Sequence, residues 1–192
     1  MKEIKNESCP LTKNSIYKML SNNQKSEASR YPTNDEFLTY LKKNVLPKHA
    51  KVLLYQLARR SGRELLPFNN NLTIEHLMPQ TIDEKTSNGK WWIQNLGGEQ
   101  EYARIRNEYL NCIGNMALVT RKLNSSMSNE KWDKKRIEIL NRAADKHTQD
   151  VASKNTEWKE TQIKNRNNKL ANHICQIITG PSDEKKHNKN WL

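Results

Sequence analysis

Cysteine is scarce: Cys9, Cys112 and Cys175 are three, odd in number and far apart. No CxxC and no Cys/His pair has the spacing of a zinc ligand set, which argues against a structural zinc. So few thiols fit a reducing, cytoplasmic compartment. Long apolar runs are missing too, and none approaches the length of a membrane helix. The start, Met1-Lys2-Glu3-Ile4-Lys5-Asn6, lacks the apolar core of a signal peptide. A soluble protein with no membrane partner is expected. There is no internal repeat and no glycine-rich loop of the kind that cradles phosphates. Apolar residues make up only 34% and mean hydropathy is −1.00, so parts of the chain must be well solvated.

What is abundant is positive charge. The 192 residues carry a formal net charge of +12 with a pI near 9.6. Such a balance suits a polyanionic partner, DNA or RNA. Lysine and asparagine dominate the polar residues, however, and a compositionally biased genome produces that mixture without any binding role. The length allows one domain with a helical extension and a real core.

Residues 1–31 are polar, with one weak helical stretch around Ile16, Met19 and Leu20. Thr33 and Glu36 then have capping-box spacing, and Phe37, Leu38, Leu41 and Val45 follow at helical intervals until Pro47. A second helix is expected from about Lys48 to Ser61, with Val52, Leu53, Leu54, Leu57 and Ala58 as its apolar stripe and Gly62 as its terminator. The basic cluster Arg59-Arg60-Ser61-Gly62-Arg63 reads equally as a phosphate contact or as a solvated helix end. Residues 72–76 read as a strand and 116–120 as its partner. The 39 residues between them are too long for a tight turn. They contain a Ser87-Asn88-Gly89 turn, Trp91-Trp92 as a core plug rather than a platform for stacking bases, and a short helix around 99–110. Ser128 is placed to cap a helix over about 129–144, with Trp132, Ile137, Ile139 and Leu140 inward. A polar linker of about ten residues precedes a last helix, about 156–178, and residues 180–192 read as a disordered tail.

Two asparagines and a Glu-His pair give the hairpin its chemical interest. Adjacent strand residues face opposite ways, so Glu75 and His76 at a strand end can serve two sides of one site. Hydrolysing a phosphodiester needs an activated water, charge stabilisation and help for the leaving oxygen. An imidazole suits the first task, and a hard divalent cation on oxygen ligands suits the others. Asn124 offers an amide oxygen as a second ligand beside Glu75. Asn115 precedes the second strand and can tie the long loop to the site. On spacing alone the alternative stands: His76 as a hydrogen-bonded core residue and the asparagines as turn formers. His49, His147, His173 and His187 have no ligand spacing to one another.

Thr73-Ile74-Glu75-His76-Leu77-Met78-Pro79-Gln80, then Ile113 to Thr120, then Leu123-Asn124-Ser125-Ser126-Met127-Ser128, then Trp132-Asp133-Lys134-Lys135, resembles the HNH-type C-terminal domain of the GmrSD family of restriction endonucleases. The motifs stand in the family's order, and the resemblance covers about residues 32–178. The nine-residue interval from Asn115 to Asn124 is also similar to the HNH nuclease domain of RNA-guided CRISPR effectors. The resemblance implies His76 as the general base, Asn115 as the residue that orients the histidine or the loop, and Glu75 and Asn124 as ligands of Mg2+ or Mn2+. Lys135 is similar to a lysine that the family places on the helix after the site, for phosphate binding or simply as helix surface. With Arg121 and Lys122 it completes the candidate nucleic-acid contacts. Many HNH sites have Asp where this chain has Glu75, so the reach to a metal is direct or through water.

The implied fold is α+β and mostly helical, a ββα-metal finger of the His-Me type embedded in a helical domain. Residues 32–66 would form a helical extension, 67–145 the nuclease core, and 146–179 a linker and packing helix. The implied function is metal-dependent cleavage of DNA in a restriction or phage-defence system. Family members typically carry an N-terminal nucleotide-handling domain; nothing in this chain resembles one, so a separate or missing domain or subunit is an expected partner. The alternatives are a catalytically silent nucleic-acid-binding or subunit-interaction remnant, and an RNase using the same finger.

Overall fold

The computed structural model describes residues 32–61, 67–69 and 71–178. The polar segment 1–31, the tail 180–192, Gly62 and Arg63 lie outside the described residues. Helix α1 spans Asn34–Lys43 and opens on the expected capping box. Glu36 N–H donates to Thr33 Oγ1 at 3.2 Å, and Thr33 N–H donates to the Glu36 carboxylate at 2.8 Å. Pro47 does more than stop the run: it is the first residue of α2, Pro47–Arg59, where its missing N–H costs no helical bond. Helix α2 buries Ala50, Leu53, Leu54 and Leu57 at intervals of three and four. Val52 falls outside that stripe and is 46% exposed, contrary to the sequence reading.

Strand β1, Leu72–His76, pairs antiparallel with β2, Met116–Thr120, as a two-stranded sheet. The register sets Leu72 opposite Thr120 and His76 opposite Met116. Between the strands lie α3, Ser87–Asn95, α4, Glu99–Tyr109, and a 3-10 turn, Ile113–Asn115. The Ser-Asn-Gly triplet is therefore the first turn of a helix, not a connecting turn. Thr86 caps it, accepting from Gly89 N–H at 3.1 Å. Gly89 is there because a Cβ would stand 2.0 Å from the Asp83 carbonyl oxygen.

Helix α5, Arg121–Met127, follows β2 directly and doubles back over the hairpin. Ser128, at φ 37°, ends α5 rather than capping the next helix: its N–H donates to the Asn124 carbonyl at 2.9 Å. Helix α6, Trp132–Arg142, turns Trp132, Lys135 and Ile139 inward, while Ile137 and Leu140, expected as core, face solvent. The stretch expected as a linker contains α7, Lys146–Lys154, capped by the Asp145 carboxylate on His147 and Thr148 N–H. Helix α8, Glu160–Ile178, closes the described chain, with Trp158 buried just ahead of it.

The hairpin lies between two apolar cores. Ala117 and Val119 face one, with Leu123, Trp132, Ile139, Val151 and the α3–α4 side chains. Met116, Leu118 and Leu72 face the other, with Leu41, Leu53, Leu57, Leu170 and Ile174. The result is an α+β domain, mostly helical, as expected. No helix among the described residues is long and apolar enough to cross a membrane.

Candidate active site

The end of β1 is held by a turn that owes its shape to α8. Gly114 N–H donates to the Asn167 side-chain oxygen at 3.1 Å, and the Asn167 amide donates to the Lys42 carbonyl at 2.8 Å. Arg166 Nη1 donates to the carbonyls of Gly114 (2.6 Å) and Met116 (2.7 Å). Burial pushes that guanidinium down to about 10, still charged at neutral pH. Neither residue was singled out in the sequence, although Asn167 sits on the apolar stripe of α8 between Ile163 and Leu170. That placement was the available signal.

Clamped this way, Asn115 points into the protein with no exposed surface. Its side-chain oxygen accepts from Met78 N–H at 2.8 Å and from the Trp158 indole at 3.3 Å. Its amide donates to the carbonyls of Met78 (3.1 Å) and Leu110 (3.0 Å). Both polar side-chain atoms of Asn115 are thus spent on the backbone that leaves β1, on the backbone that leaves α4 at Leu110, and on the Trp158 indole. Its role here is to hold the loop, and none of these bonds reaches the His76 ring.

The polar side chain that acts on the imidazole is that of Asn111, a residue with no motif to mark it in the sequence. Burial lowers the His76 imidazole to about 4; the Asn111 side-chain hydrogen bond opposes that shift and the Lys135 charge adds to it. The ring is therefore neutral at pH 7, and its Nε2 is buried without a hydrogen-bond partner. An orphaned ring nitrogen is costly unless something is meant to meet it.

Glu75 faces the opposite core, since it pairs with Ala117. There its carboxylate meets Lys135, whose Nζ lies 2.5 Å from Glu75 Oε1 and 3.0 Å from the His76 carbonyl oxygen. Burial pushes the carboxyl up and the ammonium down, and each charge works against the other's shift. Lys135 is 0% exposed, so it is neither helix surface nor, as it stands, a phosphate contact. The sequence signal was its position three residues after Trp132 and four before Ile139, on the buried stripe of α6.

Asn124 donates its amide to the Ile74 carbonyl at 2.9 Å, next to Glu75 in β1. Among the described residues its side-chain oxygen has no partner. Arg121 and Lys122 are exposed at the start of α5, beside the Leu72–Thr120 end of the hairpin and not the His76 end. The structure thus brings Glu75, His76 and Asn124 to one strand end, with Asn115, Asn111 and Lys135 around them. It leaves Arg121 and Lys122 apart.

For a divalent cation the donor chemistry fits in kind: the second carboxylate oxygen of Glu75 and the free amide oxygen of Asn124 are hard ligands. They are few. No group of three or more His, Cys, Asp or Glu residues that could hold a metal occurs among the described residues. Such a site would leave most of the coordination sphere to water and substrate oxygens, as Mg2+ sites commonly do.

A helix-wrapped hairpin that gathers a carboxylate, an unpaired imidazole nitrogen and a free amide oxygen at one strand end defines an α+β domain with a candidate acid–base centre. Residues 22–173 match the family model of the C-terminal domain of GmrSD restriction endonucleases, and the chain belongs to that family. No curated protein and no solved structure matches it.

Proposed function

We propose that the chain is an HNH-type nuclease module that hydrolyses phosphodiesters in DNA with the help of Mg2+ or Mn2+, in a restriction system that defends against phage. One observation supports this reading: the neutral His76 ring has a buried, unpaired Nε2, one residue along β1 from the Glu75 carboxylate and two from the Ile74 carbonyl to which Asn124 bonds. His76 is the general base. It takes the proton of a water that attacks phosphorus, and its neutral state at pH 7 leaves that nitrogen free to do so. A base lowered to about 4 is weak, but the burial that lowers it also makes it responsive. A docked phosphate puts negative charge next to the ring and raises its basicity when substrate is present. Glu75 and Asn124 would hold the cation, which when bound supplies charge stabilisation at the phosphate oxygens. Asn111 orients the ring, Asn115 fixes the loop that follows β1, and Lys135 holds the Glu75 carboxylate in place. A nucleotide-handling domain or subunit, supplied separately, would complete the system.

The test is nicking of supercoiled plasmid by the purified chain with Mg2+ or Mn2+ in excess. Nicking should stop with EDTA, and His76→Ala should lower the rate by roughly 100-fold or more, the usual worth of a general base. Equal nicking by the variant would remove His76 from the mechanism. Parallel digestion of RNA separates a DNase from an RNase.

A second reading has its own support. The Lys135 ammonium already occupies one Glu75 oxygen, which suits a silent nucleic-acid-binding module. Salt-sensitive DNA binding with no cleavage under any metal would select it.

A further inference from the structure

The basic residues expected to meet nucleic acid do not lie at the histidine, and another set does. A cleft of about 600 Å3 opens between the end of α1, the Asn107–Asn111 stretch and α8. Lys42, Lys43 and Lys164 line it, with the amides of Asn44, Asn107 and Asn168. Asn111 lies on its wall, and its side chain is close enough to the His76 imidazole to oppose the lowering of that ring by burial. A second cavity, about 480 Å3, shares Asn107 and Asn111 and is lined by Arg106 together with Glu84 and Glu99. The floor is firmly tied: Val45 N–H donates to the Asn111 carbonyl at 2.8 Å, and Asn167 to the Lys42 carbonyl.

The lysines need an explanation. Cations in the last turn of α1 suit the helix dipole, which accounts for Lys42 and Lys43 without any ligand. It does not account for Lys164, which stands near the opposite, positive end of α8. The i−4 partner that would answer Lys164 is Glu160, and Glu160 is taken by Arg104 at 2.6 Å. None of the three lysines has an ion pair among the described residues. The one acid in the cleft wall, Glu108, is engaged by Arg104 at 3.3 Å. What remains is a row of lysine ammonium groups, without ion pairs among the described residues, and neutral amides that ends at Asn111.

We propose that this cleft is the track of the DNA backbone, with Lys42, Lys43 and Lys164 on successive phosphates and Asn111 at the point where the strand meets His76. The assignment rests on the nuclease reading above. It places the electrostatic footprint on helices flanking the hairpin, and not on Arg121, Lys122 or Lys135.

The experiment measures binding of a fluorescein-labelled duplex DNA by the full chain in EDTA, by anisotropy, across a NaCl series. Lys42→Gln/Lys43→Gln/Lys164→Gln should flatten the plot of log affinity against log salt by about 2–3 units, since each lost phosphate contact removes about 0.9. At fixed salt its affinity should fall at least about tenfold. Arg121→Gln/Lys122→Gln should change neither. As a check that needs no variant, bound DNA should protect the three lysines, and not Lys122, from acetylation. An unchanged slope in the triple variant, or a loss confined to the Arg121/Lys122 variant, overturns the cleft while leaving a nicking enzyme intact. A wild-type chain that neither binds nor nicks DNA removes the nuclease reading itself, and the cleft with it.

Discussion

A buried ammonium costs several kcal/mol in lost hydration unless its charge is answered in place. Lys135 is answered twice, by the Glu75 carboxylate and by the His76 carbonyl. It thereby ties α6 to the last two residues of β1. The pair is fragile in a specific way. Lys135→Met removes the cation and strands a buried carboxylate, and should lower unfolding free energy by about 3–5 kcal/mol. Adding Glu75→Gln to that variant should recover much of the loss, because a neutral amide is far cheaper to bury. Urea denaturation of the two single variants and the double closes the cycle; additive losses would mean that the two side chains do not work as a pair. Glu75, His76 and Asn124 were legible in the sequence because strand alternation and motif order mark them. Lys135 was half legible. Its neighbour Lys134 is identical in type and exposed, and only the position relative to Trp132 and Ile139 separates a lysine turned inward from one turned out.

At the scale of elements, what could be read was whatever repeats with a period. Strand β1 and the apolar stripes of α1, α4 and α8 follow from alternation or helical spacing, and β2 from a short unbroken apolar run. Helix α7 did not, because of its nine residues only Thr148, Val151 and Ala152 are buried. Its one plain signal is the capping Asp145, and a lone Asp in a polar stretch does not distinguish a helix start from a linker. The 3-10 turn before β2 was also illegible, since Arg166 and Asn167, which shape it, lie about 50 residues downstream. Gly114 records that contact. A Cβ there would come within 2.5–2.6 Å of Asn167 Cβ, Cα and backbone nitrogen. The α8 backbone cannot retreat without breaking the Asn167 bond to Gly114 N–H. Gly114→Ala should therefore cost about 1–3 kcal/mol, as overpacking commonly does. In a domain of this size that lowers Tm by roughly 2–4 °C per kcal/mol. A thermal melt checks it, and a melt unchanged within 1 °C, about the resolution of such a comparison, would show that α8 is not seated on the turn as described.

The whole molecule is organised by the fact that the hairpin has a core on each face. Its α5–α6 face packs within the stretch 67–145, together with Val151, Trp158 and Ile163. Its other face has almost nothing of its own: Leu72, Met116 and Leu118 pack on Leu41, Leu53, Leu57, Leu170 and Ile174, all outside that stretch. The stretch 67–145 therefore shares both of its cores with the flanking helices. The candidate site depends on both flanks, since Trp158, Arg166 and Asn167 set the turn and the Asn115 side chain. A fragment of residues 67–145 would expose one whole face of a two-stranded sheet, and two strands without packing on both sides are marginal in water. Expressed alone it should give collapsed amide dispersion in NMR and no cooperative urea transition. Residues 32–178 should give both dispersion and a single transition. If the short fragment folds cooperatively, the flanking helices are accessories, and the basic cleft between α1 and α8 becomes an addition to a self-sufficient hairpin rather than part of the frame that holds it.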